Sequence, residues 1–209
     1  MNNNILLNIA SEFGTPLYVY DAESIKNQYQ NLTSAFPEKT KFFYACKALT
    51  NINILKYDCV SINEVKLGLK AGFSPEKILF TPNCVDLTEI EEAMKLGAHI
   101  NIDNISILEQ FGNKYSDSYP IFIRINPHIY AGGNHKISTG HIDSKFGISI
   151  HQLRHIERLV KSTKLNIEGL HMHTGSEIRD PDVFLQGMEI MFELVEHFPN
   201  LKYIDMGSG

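Results

Sequence analysis

Lys47 is the residue whose type and position most directly suggest covalent chemistry. It follows the apolar run Phe42–Cys46, which has the composition of a buried strand. A lysine at the carboxyl end of such a strand lies where α/β proteins build their sites, and its amine can form a Schiff base with a carbonyl compound. The alternative is a structural lysine whose ammonium reaches solvent from the strand end, and position alone favours it.

Two histidines, His171 and His173, are separated by one residue in a strand-like run, so their side chains point to the same face. Paired imidazoles can bind zinc if further ligands leave one coordination position open. The chain has nine histidines but neither H-E-x-x-H nor C-x-x-C to support such a site. A neutral imidazole can also lie flat against an aromatic cofactor. For His171, a hydrogen-bonded structural histidine is the favoured interpretation.

Small residues follow two predicted strands, as Gly175-Ser176 and as Gly207-Ser208-Gly209. Glycines at strand ends let backbone N–H groups approach a phosphate, and a serine hydroxyl adds a donor. The signal is weak by itself, because turns use glycine just as often.

Charged residues also stand at or just beyond strand ends, and two cysteines flank the same edge. The charged candidates are Asp58, Glu64 and Arg124. Each of them, taken singly, is more typical of a helix cap or an ion pair than of a catalyst. Cys46 and Cys59 are interpreted as small core residues, which is what free cysteines usually are.

These residues need a scaffold, and alternating patterns predict one. Strands with little polar alternation are typical of a parallel sheet covered on both faces, either open or closed into a barrel. The predicted strands are Lys41–Ala45, Asp58–Ser61, Lys77–Thr81, His99–Asp103, Pro120–Asn126, Asn166–His173 and Leu201–Met206. The predicted helices between them are Asn63–Ala71, Leu87–Leu96, Ser106–Gly112, His151–Lys161 and Pro181–His197.

The amino-terminal part is predicted as a short strand, Thr15–Asp21, followed by a helix with an apolar face that ends before Pro37. Three helix starts show capping chemistry. Ser61 and Ser106 are each followed three residues later by a glutamate, and Asp180 precedes a proline.

Composition excludes several classes of protein. The 209 residues carry a formal net charge of −5 without a basic stripe, which argues against binding of a nucleic-acid backbone. No apolar run reaches the length of about 18 residues that a membrane helix needs. Three widely spaced cysteines favour a reducing cytosol over a disulfide framework. A complete (β/α)8 barrel needs about 250 residues, which is more than this chain has.

Two connections are unusual. Asn126–Lys145 is a long stretch without periodicity, which is typical of a functional loop. Only Thr50–Tyr57 is left to connect the first two strands, whereas a strand–helix–strand unit takes about 30 residues.

Four motifs occur in order: Gly14-Thr-Pro-Leu-Tyr-Val-Tyr-Asp21, Tyr44-Ala-Cys-Lys47-Ala, Gly169-Leu-His-Met-His173-Thr-Gly-Ser176 and Asp205-Met-Gly-Ser-Gly209. Together they resemble the pyridoxal-phosphate-dependent decarboxylases of the alanine-racemase-like, fold-type III group. The loop Arg124-Ile-Asn-Pro127…Ile137-Ser-Thr-Gly140…Ser144-Lys-Phe-Gly147 is similar to that of the diaminopimelate decarboxylases within this group. The resemblance implies a (β/α)8 TIM-type barrel and decarboxylation of meso-2,6-diaminopimelate to L-lysine, the last step of lysine synthesis.

The resemblance also implies roles for matching positions. Lys47 would carry pyridoxal 5'-phosphate (PLP) covalently, His173 would stack on its pyridine ring, and Ser176 with the glycine-rich loop would hold its phosphate. Arg124 would lie beneath the His173 ring, and His171 has no implied role. The implied cofactor-binding residues are Lys47, His173, Ser176, Gly207, Ser208, Gly209, Asp58 and Arg124.

Parts of the family pattern are not found in this sequence. The family continues to an eighth strand, whose glutamate pairs with the pyridine nitrogen, and to a β-domain that contributes residues across a homodimer. We therefore expect residues 1–24 to join that β-domain and residues 25–209 to form a barrel that stops after strand seven. We also expect an omitted segment near residues 57–58.

Three alternatives stay open at this point. Ornithine, arginine and carboxynorspermidine decarboxylases share the fold and compete on substrate. A non-catalytic PLP homeostasis protein shares the barrel without the β-domain, although it leaves the loop Ile137–Gly147 without a role. A zinc hydrolase would use His171 and His173.

Overall fold

The computed structural model describes residues 2–48, 57–129, 139–140, 144–176, 178 and 180–207. They divide into two compact units, Met1–Phe42 and Phe43–Gly209. This division concerns compactness alone, so the predicted assignment of residues 1–24 to a β-domain stays a prediction.

The first unit contains two helices, α1 (Asn3–Phe13) and α2 (Ala22–Ser34). Asn2 caps α1 by accepting a hydrogen bond from the Ile5 N–H at 3.0 Å, and Asp21 caps α2 in the same way. Helix α2 was predicted, whereas α1 was not. The predicted strand Thr15–Asp21 is not formed within the described residues, since nothing there pairs with it in a sheet.

The second unit is built on parallel strands. All seven strands predicted for this part are present, mostly shorter than the apolar runs that signalled them. An eighth, β6, is a two-residue strand that was not predicted. The strands are β1 (Tyr44–Ala45), β2 (Tyr57–Cys59), β3 (Leu79–Phe80), β4 (His99–Ile102), β5 (Ile121–Asn126), β6 (Ile148–Ser149), β7 (Ile167–His171) and β8 (Tyr203–Asp205).

The sheet runs in sequential order, β1-β2-β3-β4-β5-β7-β8, with β6 paired to the end of β5. All pairings are parallel, so helices connect the strands, and the architecture is an incomplete (β/α)8 barrel of the TIM type. The connecting helices are α3 (Ile62–Lys70), α4 (Leu87–Lys95), α5 (Ile105–Tyr115), α6 (Leu153–Thr163) and α7 (Pro181–Glu193). The segment Leu49–Lys56, which contains most of the short crossover, lies outside the described residues.

Burial follows from this layering. Every residue of β5 and β7 is buried, as expected for strands covered on both faces. The apolar core is rich in isoleucine, for example Ile100, Ile123 and Ile125, each at most 1% exposed. Polar side chains on alternate positions, such as Arg124, are buried as well and form the layer that holds the site.

Two of the three predicted helix caps are confirmed. The Glu64 N–H donates to Ser61 Oγ at 3.3 Å, and Asp180 accepts from the Asp182 N–H at 3.0 Å. The predicted cap at Ser106 is wrong. Asn104 caps α5 two residues earlier by accepting from the Ile107 N–H at 2.9 Å, so Ser106 lies inside the first turn. Within the described residues, no helix is long and apolar enough to cross a membrane.

Candidate functional site

Three charged or titratable side chains form one row across the sheet. Arg124 on β5 pairs in register with His171 on β7, and His171 pairs with Asp205 on β8. Arg124 and His171 are both buried, and Asp205 is half-buried. Because neighbouring residues of a parallel register project to the same face, the three side chains meet at the carboxyl end of the barrel interior.

Asp58 on β2 is the second acid of this interior. Thr81 Oγ1 donates to Asp58 Oδ1 at 3.0 Å. Burial raises the pKa of Asp58 to about 7, and the charge of Asp205 acts in the same direction. The Thr81 hydrogen bond and the charges of Lys47 and Arg124 oppose this rise. The carboxyl therefore exchanges a proton near neutral pH.

Arg124 is held from several sides. Its Nη1 donates to Asn83 Oδ1 at 3.0 Å, and its guanidinium carbon lies 5.1 Å from the centre of the Phe146 ring. Burial lowers the pKa of Arg124, while the charges of Asp103, Asp58 and Asp205 raise it. An arginine remains protonated under any such shift, so the interior contains a fixed positive charge.

His173 and His171 are neutral imidazoles in this environment. Burial lowers the pKa of His173 to about 3, helped by the charges of Lys47 and Arg124. Burial also lowers the pKa of His171 well below its usual value. His171 Nδ1 is buried without a hydrogen-bond partner in the described residues, so the hydrogen bond expected for a structural histidine is missing at this atom.

Lys47 lies in a short 3₁₀ turn, Cys46–Ala48, directly after β1. The side chain is exposed, and its charge lowers the pKa of Asp58 and of His173. The amine therefore faces the same polar interior. It does so from β1, the first strand of the sheet, whereas Asp205 lies on β8, the last.

Gly207, two residues after β8, has a conformation that favours glycine, with φ of 64°. A β-carbon there would lie 2.3 Å from the Met172 carbonyl oxygen, so only glycine fits so close to the end of β7. The Gly207 N–H donates to Asp205 Oδ1 at 2.8 Å. Ser176 is exposed just beyond β7, and the predicted Ser208 and Gly209 lie outside the described residues.

The loop after β5 returns to the end of β7. The N–H groups of Thr139 and Gly140 both donate to the Thr174 carbonyl oxygen at 3.0 Å, and Thr139 Oγ1 donates to the His173 carbonyl oxygen at 2.6 Å. These bonds fix the backbone that presents the His173 ring. Most of the remaining predicted loop, residues 130–138 and 141–143, lies outside the described residues.

The other sequence candidates have structural explanations. Glu64 completes the cap of α3, where Oε2 accepts from the Val60 N–H at 2.8 Å. Cys46 and Cys59 are fully buried, and burial raises both thiol pKa values, that of Cys46 to about 11. The zinc alternative lacks support, because the described residues contain no group of three or more metal-ligating side chains.

Sequence reasoning assigned no role to four polar residues of this interior: Asn83, Asn101, Asp103 and Asp205. The available signal was their position, since each lies in a strand or shortly after one. That position did not separate them from helix caps and turn residues.

The family of the chain follows from this fold and site. Residues 22–209 match the family described as "Pyridoxal-dependent decarboxylase, pyridoxal binding domain". The chain belongs to this family, and the cofactor of the family is PLP. The membership favours the decarboxylases over the PLP homeostasis proteins.

Two similar proteins of known name are both diaminopimelate decarboxylases. A diaminopimelate decarboxylase of Methanothermobacter thermautotrophicus is 34% identical over 96% of this chain and 51% of its own length. The Campylobacter jejuni enzyme of the same name is 33% identical over 96% of the chain and 54% of its own length. The chain therefore spans about half the length of the curated relatives it matches.

Solved structures agree with the fold. A crystal structure of diaminopimelate decarboxylase has a TM-score of 0.85 and 28% identity, covering 99% of this chain and 51% of that one. The Helicobacter pylori diaminopimelate decarboxylase complexed with L-lysine has a TM-score of 0.82 and 30% identity, covering 100% and 57%. The incomplete TIM-type barrel is thus the fold of these enzymes over the part that the chain spans.

The side chains of this interior fit PLP. Lys47 supplies a primary amine for its aldehyde, and His173 supplies a neutral flat ring. Gly207 lets the backbone after β8 lie close to Met172 and His173, and the exposed Ser176 hydroxyl beyond β7 suits a phosphate. His171 Nδ1 is a buried polar atom without a partner in the described residues, as is common beside a ligand.

Proposed function

We propose that this chain is the PLP-binding barrel of an amino-acid decarboxylase that converts meso-2,6-diaminopimelate to L-lysine and carbon dioxide. One observation carries the proposal: the amine of Lys47, the neutral ring of His173 and the row Arg124–His171–Asp205 converge at the carboxyl end of the barrel. The named relatives are diaminopimelate decarboxylases, which supports this substrate over other amino acids.

The residues divide the work as follows. Lys47 would hold the cofactor at its aldehyde through the side-chain amine, and this is the amine that the substrate amine would replace. His173 would cover one face of the ring, since a neutral imidazole stacks without adding a charge. When bound, the cofactor supplies an electron-withdrawing ring, which takes up the electron pair that stays on the substrate carbon when carbon dioxide leaves.

The phosphate and the charges complete the arrangement. Ser176 and the backbone N–H groups of residues 208 and 209 hold the phosphate as donors, and Gly207 shapes the loop while its own N–H donates to Asp205 Oδ1. Arg124 fixes a positive charge among three acids, and Asp58 lines the site with a carboxyl that exchanges its proton near neutral pH.

Trapping tests the role of Lys47. Borohydride treatment of the PLP-loaded protein should leave the reduced cofactor on Lys47, identified by peptide mass spectrometry. Lys47→Ala should lose the visible absorbance of the bound cofactor, whereas Lys161→Ala, an exposed lysine on α6, should retain it. A label on a different lysine, or none at all, would contradict the proposed role.

Carbon dioxide release tests the substrate. The whole protein should release it from diaminopimelate and not from ornithine, arginine or lysine. Release from ornithine or arginine alone would overturn the substrate and leave the reaction class standing.

Assembly and location are part of the same proposal. The family resemblance leads us to propose a cytoplasmic homodimer with active sites shared across the interface, and the buried Cys46 and Cys59 thiols agree with a reducing compartment. Light scattering of the whole protein should give the mass of two chains, and a monomer with full activity would contradict the shared site.

A further inference from the structure

A chain of hydrogen bonds leads from Asp58 across two neighbouring strands. Thr81 Oγ1 donates to Asp58 Oδ1 at 3.0 Å, and Asn101 Nδ2 donates to Thr81 Oγ1 at 3.3 Å. Asn101 is completely buried, and Thr81 is 4% exposed. Neither residue has a role in binding the cofactor under the proposed function.

Backbone hydrogen bonding fixes Thr81, the middle residue of this chain of hydrogen bonds. The Thr81 N–H donates to the Cys59 carbonyl oxygen at 2.7 Å, which ties residue 81 to the strand that contains Asp58. Asn101 lies one strand further on, in β4. The threonine hydroxyl is therefore held between the carboxyl and the amide by secondary structure.

The chain of hydrogen bonds from Asn101 to Asp58 has a direction. A hydroxyl has one proton to donate, and Thr81 Oγ1 already accepts from Asn101 Nδ2. An ionised carboxylate can only accept a hydrogen bond, so the Thr81 proton goes to Asp58 Oδ1. A proton taken up by Asp58 then goes to Oδ2, the oxygen without a bond to Thr81, because a protonated Oδ1 would be the weaker acceptor for the Thr81 hydroxyl.

We infer that Thr81 and Asn101 are positioning residues, which hold the Asp58 carboxyl in one orientation and leave Oδ2 as the oxygen that carries its proton. The inference deepens the proposed function and rests on it, because it concerns an acid of the proposed cofactor site. It assigns an indirect part in the site to Thr81, directly after β3, and to Asn101, on β4, since both act through Asp58.

The surroundings explain why orientation matters. Three charged groups from three other elements act on Asp58: Lys47 after β1, Arg124 on β5 and Asp205 on β8. Two of them favour the ionised carboxyl and one opposes it. With Oδ1 accepting from Thr81, Oδ2 is the oxygen at which we expect Asp58 to exchange its proton with the rest of the site.

Titration tests the inference without reference to activity. Asp58 is followed by ¹³C NMR of the aspartate side-chain carboxyls in the cofactor-free protein, with Asp58→Asn used for assignment. Thr81→Val keeps the shape of the side chain and removes the donor, so the pKa of Asp58 should rise by about one unit. Thr81→Ser restores the hydroxyl and should return the wild-type pKa.

Two further variants complete the experiment. Asn101→Leu frees the Thr81 hydroxyl to rotate, so it should raise the pKa of Asp58 by less than Thr81→Val does. Thr163→Val removes a hydroxyl that donates to the Leu159 carbonyl oxygen on α6, away from this chain, and should leave Asp58 unchanged. An Asp58 pKa that is equal in Thr81→Val and wild type would overturn the inference.

Infrared spectroscopy identifies the oxygen that carries the proton. If Oδ2 carries it, the C=O bond of neutral Asp58 ends at Oδ1 and accepts from Thr81. Thr81→Val should then move this stretch to higher wavenumber, and an unmoved band would place the proton on Oδ1 and refute the assignment. Borohydride trapping on Lys47 is independent of both results, so failure of the inference and failure of the proposed function are distinguishable.

Discussion

Arg124 and His171 are direct partners in the parallel register of β5 and β7, and each is 5% exposed. A permanent cation beside a buried imidazole disfavours protonation of that ring, and burial acts in the same direction. The same guanidinium also lowers the pKa of His173, two residues further on. The interior therefore keeps both histidines neutral, which is the form that can stack on a ring.

A neutral buried histidine makes stability depend on pH. The pKa of His173 is about 3 in the folded protein and about 6.5 when unfolded, so the unfolded chain binds an extra proton between these values. The contribution is complete above pH 6.5 and is lost as pH falls toward 3. We expect the unfolding free energy of wild type relative to His173→Gln to fall by up to about 1.4 kcal/mol per pH unit in this window.

Urea unfolding of the cofactor-free protein between pH 4 and 8 measures this difference. Lys47→Met removes one of the neighbouring charges, so the NMR-detected pKa of His173 should rise in that variant. A difference between wild type and His173→Gln that is independent of pH would contradict a neutral His173.

The contribution of Asp58 to stability has the opposite dependence on pH. The pKa of this acid is about 7 in the folded protein and about 3.9 when unfolded, so the folded state binds the extra proton. The contribution of the buried acid is complete below pH 3.9 and is lost as pH rises through 7. Relative to Asp58→Asn, wild type should lose up to about 4 kcal/mol of unfolding free energy over this range.

The same urea series measures it, with Asp21→Asn as the comparison. Asp21 is a half-buried acid whose pKa is lowered by the hydrogen bond from the Ser24 N–H at the start of α2, so wild type should not lose stability relative to Asp21→Asn as pH rises. Equal pH profiles for wild type and Asp58→Asn would show that folding does not raise the pKa of this carboxyl.

The sequence predicted the strands of the barrel because strands buried on both faces are continuous apolar runs, as in Ile121–Asn126. It also predicted the strand-end positions of Lys47 and His173. The row Arg124–His171–Asp205 was not predictable, because it depends on register between segments more than 30 residues apart. Asn101 was missed for the same reason, since a polar residue inside an apolar strand has no local signal for its partner on the next strand.

Ser61 and Ser106 share the same capping motif, but only Ser61 makes the capping hydrogen bond, so the two serines should differ in their contribution to stability. Ser61→Ala should cost about 1 kcal/mol of unfolding free energy, because Ser61 Oγ accepts from the Glu64 N–H at 3.3 Å. Ser106→Ala should change stability by no more than about 0.5 kcal/mol, although its motif is the same. Asn104→Ala should cost about 1 kcal/mol, since Asn104 is the residue that caps α5.

Urea unfolding of the three alanine variants measures these costs side by side. A larger cost for Ser106→Ala than for Asn104→Ala would mean that the serine caps the helix in solution.

Gly169 allows two aromatic rings to meet across the strand between them. Phe122 on β5 and Tyr203 on β8 both pair in register with Gly169 on β7, and their rings stack with centres 5.7 Å apart and planes 13° apart. A β-carbon at position 169 would lie 2.1 Å from Phe122 Cδ1.

Gly169→Ala should therefore displace the Phe122 ring and cost about 1–3 kcal/mol of unfolding free energy. In a Phe122→Leu background the smaller side chain removes the clash, so the same substitution should cost at least about 1 kcal/mol less. Urea unfolding of the two single variants and the double variant measures this coupling, and strictly additive costs would show that the ring does not depend on the missing β-carbon.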